Sequence, residues 1–199
     1  MVIYGAGGHA KVIVSCIHAS NQLVTAVFDD DDSKISIPDK TVISKYDPSI
    51  FSDEHIVIAI GNNQIRRKIS QSISHRFGNV IHPSSLVEKD VQLGLGTVVF
   101  HGSIIQCSNK IGNHVIINTG VRIDHDCSIG DFVHIAPGAV LCGNVSIGEN
   151  TLVGAGSIIV PNISIGSNCI IAAGSVITKN VPDGCIVRGN PGKIIKTSH

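Results

Sequence analysis

From Ile81 to Pro182 the chain repeats every six residues. An aliphatic residue recurs at Ile81, Val87, Leu93, Val99, Ile105, Ile111, Ile117, Ile123, Ile129, Ile135, Leu141, Ile147, Val153, Ile159, Ile165, Ile171 and Ile177, seventeen times without an insertion or deletion. Glycine follows it at Gly94, Gly112, Gly130, Gly148, Gly154 and Gly166, and four positions on stands a small or β-branched residue such as Thr97, Ser103, Thr151 or Ser157. A period of six over 102 residues is neither the 3.6 of a helix nor the pattern of an ordinary sheet. It predicts a parallel β-helix, with one short strand and a turn per step, about 18 residues per coil, five to six coils, and a buried aliphatic column.

Composition agrees. Hydrophobic residues make up 43% of the chain but aromatic residues only 4%, which suits stacked Ile and Val better than aromatic anchors. Fifteen basic and fifteen acidic residues balance, with no dense basic block, which argues against nucleic-acid or anionic-membrane partners. No run of 18 apolar residues exists, so no membrane insertion is expected. The chain opens directly on MVIYGAGG without a secretory signal pattern. The six cysteines form no CxxC pair, and Cys127 and Cys169 fall at the small inward position of the repeat. Buried free thiols in a reducing, cytoplasmic setting are the expectation.

Ahead of the repeat, residues 1–80 read as a small α/β Rossmann-like unit. Val2–Tyr4 leads into Gly5-Ala6-Gly7-Gly8-His9-Ala10, a G-x-G-x-x-A pattern, and a helix is expected over Ala10–Ala19. A strand over Leu23–Phe28 runs into Asp29-Asp30-Asp31-Asp32, whose first acid lies 24 positions after Gly5. Such glycines let a backbone approach phosphate at a helix N-terminus, and the acid can accept from a ribose or a base edge. Residues 33–53 look irregular, with a short strand. His55–Ile60 reads as a buried parallel strand ending in Gly61, followed by a helix with Asn62 or Asn63 as N-cap and Ile65, Ile69, Ile73 and Phe77 on its apolar side. Arg66 and Arg67 are open between phosphate contacts and surface positions. The unit is short for a dinucleotide, so a mononucleotide moiety fits better.

Departures from the repeat mark candidate chemistry. Asp124-His125-Asp126 puts a histidine between two carboxylates in one turn, an arrangement suited to general-base work near neutral pH. Together with Asn118-Thr119, IGDFVHIAPG at 129–138, the terminal Gly189-Asn190-Pro191-Gly192-Lys193, and GAGGHAK and IAIGNNQIRRKI in the first unit, these residues make the chain resemble the left-handed β-helix sugar acyltransferases. Within them it is similar to the branch of PglD-like acetyltransferases of UDP-4-amino-sugars and NeuD-like sialic acid O-acetyltransferases. The likeness spans nearly all 199 residues.

The resemblance implies the left hand of the solenoid and a division into 1–80 (nucleotide-sugar binding), 81–182 (acetyltransferase β-helix) and 183–199 (C-terminal cap). It implies His125 as general base and Asp126 as the acid that raises its basicity, one methylene shorter than the Glu of PglD-like members. It implies acetyl-CoA contacts at His134, Gly143, Ala155 and Ala173, Gly143 through its backbone N–H, and nucleotide-sugar contacts at Gly7, Gly8, His9, Asp29, Asp30, Gly61 and Asn118. It implies a homotrimer with acetyl-CoA between neighbouring solenoids, acting on a UDP-linked 4-amino-sugar without a metal. Three alternatives stand beside it: O-acetylation of a sialic acid or related sugar, a metalloenzyme drawing three ligands from His101, His114, His125 and His134, and a non-catalytic nucleotide-sugar-binding scaffold.

Overall fold

The computed structural model describes residues 1–31, 42–43 and 45–197. Asp32 and part of the connection expected at 33–53 lie outside the described residues. The first unit holds β1 (Val2–Tyr4), α1 (Gly8–Ala19), β2 (Ala26–Phe28), β3 (Val42–Ile43), β4 (Ile56–Ile58) and α2 (Asn63–Ser70). Its sheet is parallel, ordered β3-β2-β1-β4, with Val2 opposite both Ala26 and Ile56. β4 is buried on both faces, which is why its sequence is apolar without alternation.

Element ends differ from expectation. α1 starts at Gly8, so Gly8 and His9 form its first turn. β2 begins only at Ala26, and Leu23 is exposed. α2 ends at Ser70, where the hydroxyls of Ser70 and Ser72 turn back onto the carbonyls of Arg67 and Ile69 and compete with the helix ladder. Ile69, Ile73 and Phe77 still pack against the sheet, whereas Ile65 is exposed.

The repeat folds as seventeen two-residue strands, from Val80–Ile81 to Val176–Ile177. All but the last three pair in parallel with the strand 18 residues on, as Ile116 with His134 and Ile117 with Ile135, which divides them among three sheets. Within each strand the second residue points inward. The column from Val99 to Ile177 is buried, while Ile81, Val87 and Leu93 are partly open because no coil lies beneath them. At the corners Thr97, Ser103, Thr151 and Ser157 point inward, and each hydroxyl donates to a carbonyl of the next coil at 2.8–3.0 Å. Cys127 and Cys169 take the same position as buried free thiols. The repeated glycines answer close stacking: a Cβ on Gly130 would stand 2.7 Å from the backbone nitrogen of Glu149.

The outward residues give each face a character. The first face carries Val80, Val98, Ile116, His134, Leu152 and Ile170; the second Leu86, Ile104, Arg122, Val140, Ile158 and Val176; the third Gln92, Lys110, Ser128, Ser146 and Ser164. The α/β unit docks on the first face, where Ile13, Ile17 and Val57 share a cluster with Val80, Val98, Phe100 and Ile116. Cys185–Arg188 extends that sheet beside Ile170–Ile171, and Lys193–Thr197 folds back on it antiparallel.

Arg66 and Arg67 serve this junction, neither facing phosphate nor lying loose on the surface. Arg66 is fully buried and spends its five N–H donors on the carbonyls of Ile60, Gly61, His114 and Phe132 and on Asn63 Oδ1, at 2.8–3.3 Å. Arg67 grips both carboxylate oxygens of Glu149 and lies over the Phe132 ring. A guanidinium can be buried without a counter-ion only where every donor is met, and the junction supplies those acceptors.

Candidate active site

Three neighbourhoods hold the expected site residues. The first lies at the corner after the second face. Asp124 Oδ1 accepts the His125 backbone N–H at 2.9 Å, and His125 Nδ1 stands 2.8 Å from Asp126 Oδ2. A carboxylate accepts, so Nδ1 carries the proton and Nε2 presents a lone pair. The His125 side chain is about half exposed, and its pKa is raised first by the Asp126 hydrogen bond and then by the charge of Asp124. Asp126 holds a left-handed φ of 60°, which aims its carboxylate back along the turn. Beneath the turn Asn109 is buried, donating to the Asp124 carbonyl at 2.9 Å and accepting from Cys127 N–H at 2.7 Å. Sequence reading missed this brace; its one signal was a polar Asn at an inward position. Gly143 lies one coil above His125, and its own N–H has no acceptor among the described residues.

The second neighbourhood is the seam between the α/β unit and the first face. His134 Nδ1 lies 3.3 Å from the Gly61 carbonyl and its Nε2 lies 3.1 Å from Asn118 Nδ2. The carbonyl fixes the proton on Nδ1 and lets Nε2 accept from the amide, so Asn118 and His134 act as a pair. His9 reaches the same seam from the first turn of α1, 5.3 Å from the Phe100 ring and 6.3 Å from His134 between centroids. His9 Nε2 is buried without a partner among the described residues. Burial lowers both histidines to about 4, so both are neutral. Gly7 precedes α1 and makes no side-chain cap, and Gly8 is exposed. Beyond β1, a cavity of about 530 Å³ is lined by Tyr4, Asp29, Asp30, Ile60, Ile65 and Lys68. Asp29 is itself buried, with Oδ2 2.7 Å from Ala6 N–H and Oδ1 3.0 Å from Asp31 N–H. Asp30 accepts from the Tyr4 hydroxyl at 2.6 Å.

The third neighbourhood is the corner after the first face, where Thr119, Pro137, Ala155 and Ala173 stack one per coil. Within one chain this corner and the His134 seam lie a whole face away from His125, Asp126 and Gly143. The four histidines named as possible metal ligands are likewise dispersed, with His114 stacked on Phe132 and His101 on His82. Among the described residues no group of three or more His, Cys, Asp or Glu side chains is placed to hold a metal ion, and no helix is long and apolar enough to cross a membrane.

Comparison with known proteins adds to this geometry. The family described as PglD N-terminal domain matches residues 1–73, and the bacterial transferase hexapeptide family (six repeats) matches 110–143 and 144–179. PerB from Caulobacter crescentus, solved with CoA and GDP-perosamine, is 35% identical, with a TM-score of 0.92 over 98% of this chain and 96% of that one. The acetyltransferase domain of PglB from Neisseria gonorrhoeae, solved with acetyl coenzyme A, is 34% identical, with a TM-score of 0.88 over 98% of both chains. A UDP-N-acetylbacillosamine N-acetyltransferase of Bacillus subtilis is 38% identical over 105 residues, 47% of this chain and 48% of its own length. The match thus spans about half the length of that curated relative.

Proposed function

Because the chain belongs to the PglD-like branch of the left-handed β-helix, hexapeptide-repeat sugar acetyltransferases, we propose that it transfers acetyl from acetyl-CoA to the amino group of a UDP-linked 4-amino-sugar, in glycan or polysaccharide biosynthesis. The observation that carries this reading is the exposed His125, oriented through Nδ1 by Asp126 at 2.8 Å, with Nε2 free of a hydrogen bond and 3.9 Å from Asp124 Oδ1. The sugar amine attacks the thioester carbon as Nε2 takes its proton. Backbone N–H groups, Gly143 among them, stabilise the oxyanion, and the C–S bond then breaks to release CoA as thiolate, which is reprotonated.

In this reading the diphosphate and base lie along Gly7, Gly8, Asp29, Asp30 and Gly61, the sugar reaches His9 and Asn118, and acetyl-CoA runs past His134, Ala155 and Ala173. That path lies away from His125 in a single chain, so His125 comes from a neighbouring copy. The exposed second face, apolar but for Arg122, with Leu86, Ile104, Val140, Ile158 and Val176, supports a homotrimer joined there, with the His125 corner at its edge; a cytoplasmic location belongs to the same reading. The division into 1–80, 81–182 and 183–199 belongs to the same reading.

Acetyl-CoA consumption measured against UDP- and GDP-linked 4-amino-sugars and free sialic acids tests this. Turnover with a UDP-4-amino-sugar, lowered roughly 10²–10⁴-fold by His125→Ala at unchanged melting temperature, is the expected result. Turnover with sialic acid alone would move the reading to O-acetylation. Binding of nucleotide-sugar without turnover on any acceptor would make the protein a scaffold.

A further inference from the structure

We propose that Gly143 is a positioning residue for His125: its missing side chain is the seat in which the Cε1–Nε2 edge of the imidazole rests while Nδ1 stays on Asp126. The inference deepens the reading of His125 as the base and rests on it. Gly143 lies 18 residues after His125, and Asn144 N–H donates to the His125 carbonyl at 2.9 Å, so the two turns are stacked. A Cβ on Gly143 would stand 2.8 Å from both Cε1 and Nε2 of His125 and 3.4 Å from Nδ1. Real Cβ atoms do not come as close as 2.8 Å.

This glycine differs from those of the repeat. At Gly130, Gly148 and Gly154 the nearest atoms include the backbone of the following coil, so close stacking requires glycine there. At Gly143 the three nearest atoms all belong to the His125 ring, and its φ lies outside the left-handed region. The imidazole, and neither the fold nor the backbone, excludes a side chain at this position. Asp124 fixes the His125 backbone N–H and Asp126 meets Nδ1. Asp124 Oδ1 also lies 3.9 Å from Nε2, and Gly143 receives the Cε1–Nε2 edge, so a methyl there displaces the ring and disturbs its alignment on the Asp126 oxygen. Loss of about 1 Å of alignment in a proton-transferring group is costly to rate.

The test is Gly143→Ala, read by NMR titration of the His125 ring, by kinetics and by melting temperature. The expected result is a His125 titration moved to lower pH, because the Asp126 contact is lost, with kcat down about tenfold or more and the acid limb of kcat/KM moved the same way. A glycine that only offers its backbone to acetyl-CoA would raise the KM for acetyl-CoA and leave the titration unchanged, and that outcome overturns the proposal. Should Gly143→Ala fail to fold, the same substitution in a His125→Ala chain decides. Recovery of folding supports the seat, and continued failure refutes it. Titration and folding need no acetyl transfer, so wild-type protein inactive on every acceptor would sink the enzymatic reading while leaving the seat open to test.

Discussion

The carboxylate of Asp29, at the end of β2, accepts the backbone N–H of Ala6 at 2.7 Å and so holds the glycine-rich loop that follows β1. Its other oxygen takes the Asp31 N–H, and the side chain is buried. Asp29, expected from the sequence as a substrate contact, lines the cavity beside β1 and at the same time anchors that loop. Asp29→Ala strands a buried donor, at a cost of about 1–3 kcal/mol. It should raise the KM for the nucleotide-sugar far more than that for acetyl-CoA and lower the melting temperature. Asp29→Asn, which keeps an acceptor, should recover much of both. Equal effects on the two KM values would separate the loop from the nucleotide site.

Arg66→Met is expected to be among the most damaging single changes outside the aliphatic column. It leaves the carbonyls of His114 and Phe132 buried without their donor and loosens the start of α2. Destabilisation on the order of 3–5 kcal/mol follows from breaking a fully buried charged network. Arg66→Lys should rescue little, since one ammonium cannot reach five acceptors in a plane. Denaturant midpoints of the three proteins check this, and a Lys variant as stable as wild type would refute it.

The seam should also be acid-labile. Burial, first of all, lowers His9, His114 and His134 to about 4, with the Arg66 charge adding to it. In the unfolded chain each titrates near an ordinary value of about 6.5. The unfolded state therefore binds more protons between those limits, so stability is complete above about pH 6.5 and is lost as pH falls towards 4. Each histidine contributes on the order of 1–3 kcal/mol. Urea midpoints from pH 7 to pH 4.5 should fall steadily, and a flat profile would show that the seam opens freely.

The second face gives a prediction about assembly. Ile158, 40% exposed in the single chain, lies between Val140 and Val176 on that face. Ile158→Asp should leave the monomer folded, because no buried side chain is disturbed, yet shift the sedimenting species from trimer towards monomer. Activity should fall with it if His125 serves the seam of another copy. A monomeric variant with full activity would place the whole site within one chain.

The aliphatic column was legible because a repeat of strict period determines which side chain points inward, and burial from Val99 to Ile177 follows that period. The Asp124-His125-Asp126 turn was legible for the same reason, as polar residues interrupting a uniform pattern. Arg66 was not. Its burial depends on two units meeting, and Ile60, His114 and Phe132 lie far apart in sequence. The seat at Gly143 was equally hidden, since a glycine reads as turn chemistry until the residue 18 positions earlier is seen to occupy its space. The Asn118–His134 pair joins two residues expected to serve different substrates, and only stacking brings them together.

The coil register also makes the molecule a ruler. Pro137, Ala155 and Ala173 recur every 18 residues along one corner, so they are marks about 4.8 Å apart, the spacing of neighbouring strands. Inserting one whole coil between Pro137 and Ala155 would preserve the aliphatic column and every corner contact, yet carry Ala173 one mark further from His134. An insertion of any length that is not a multiple of six would turn the inward residues out. The length of a ligand laid along that corner is thus written into the chain in units of whole coils.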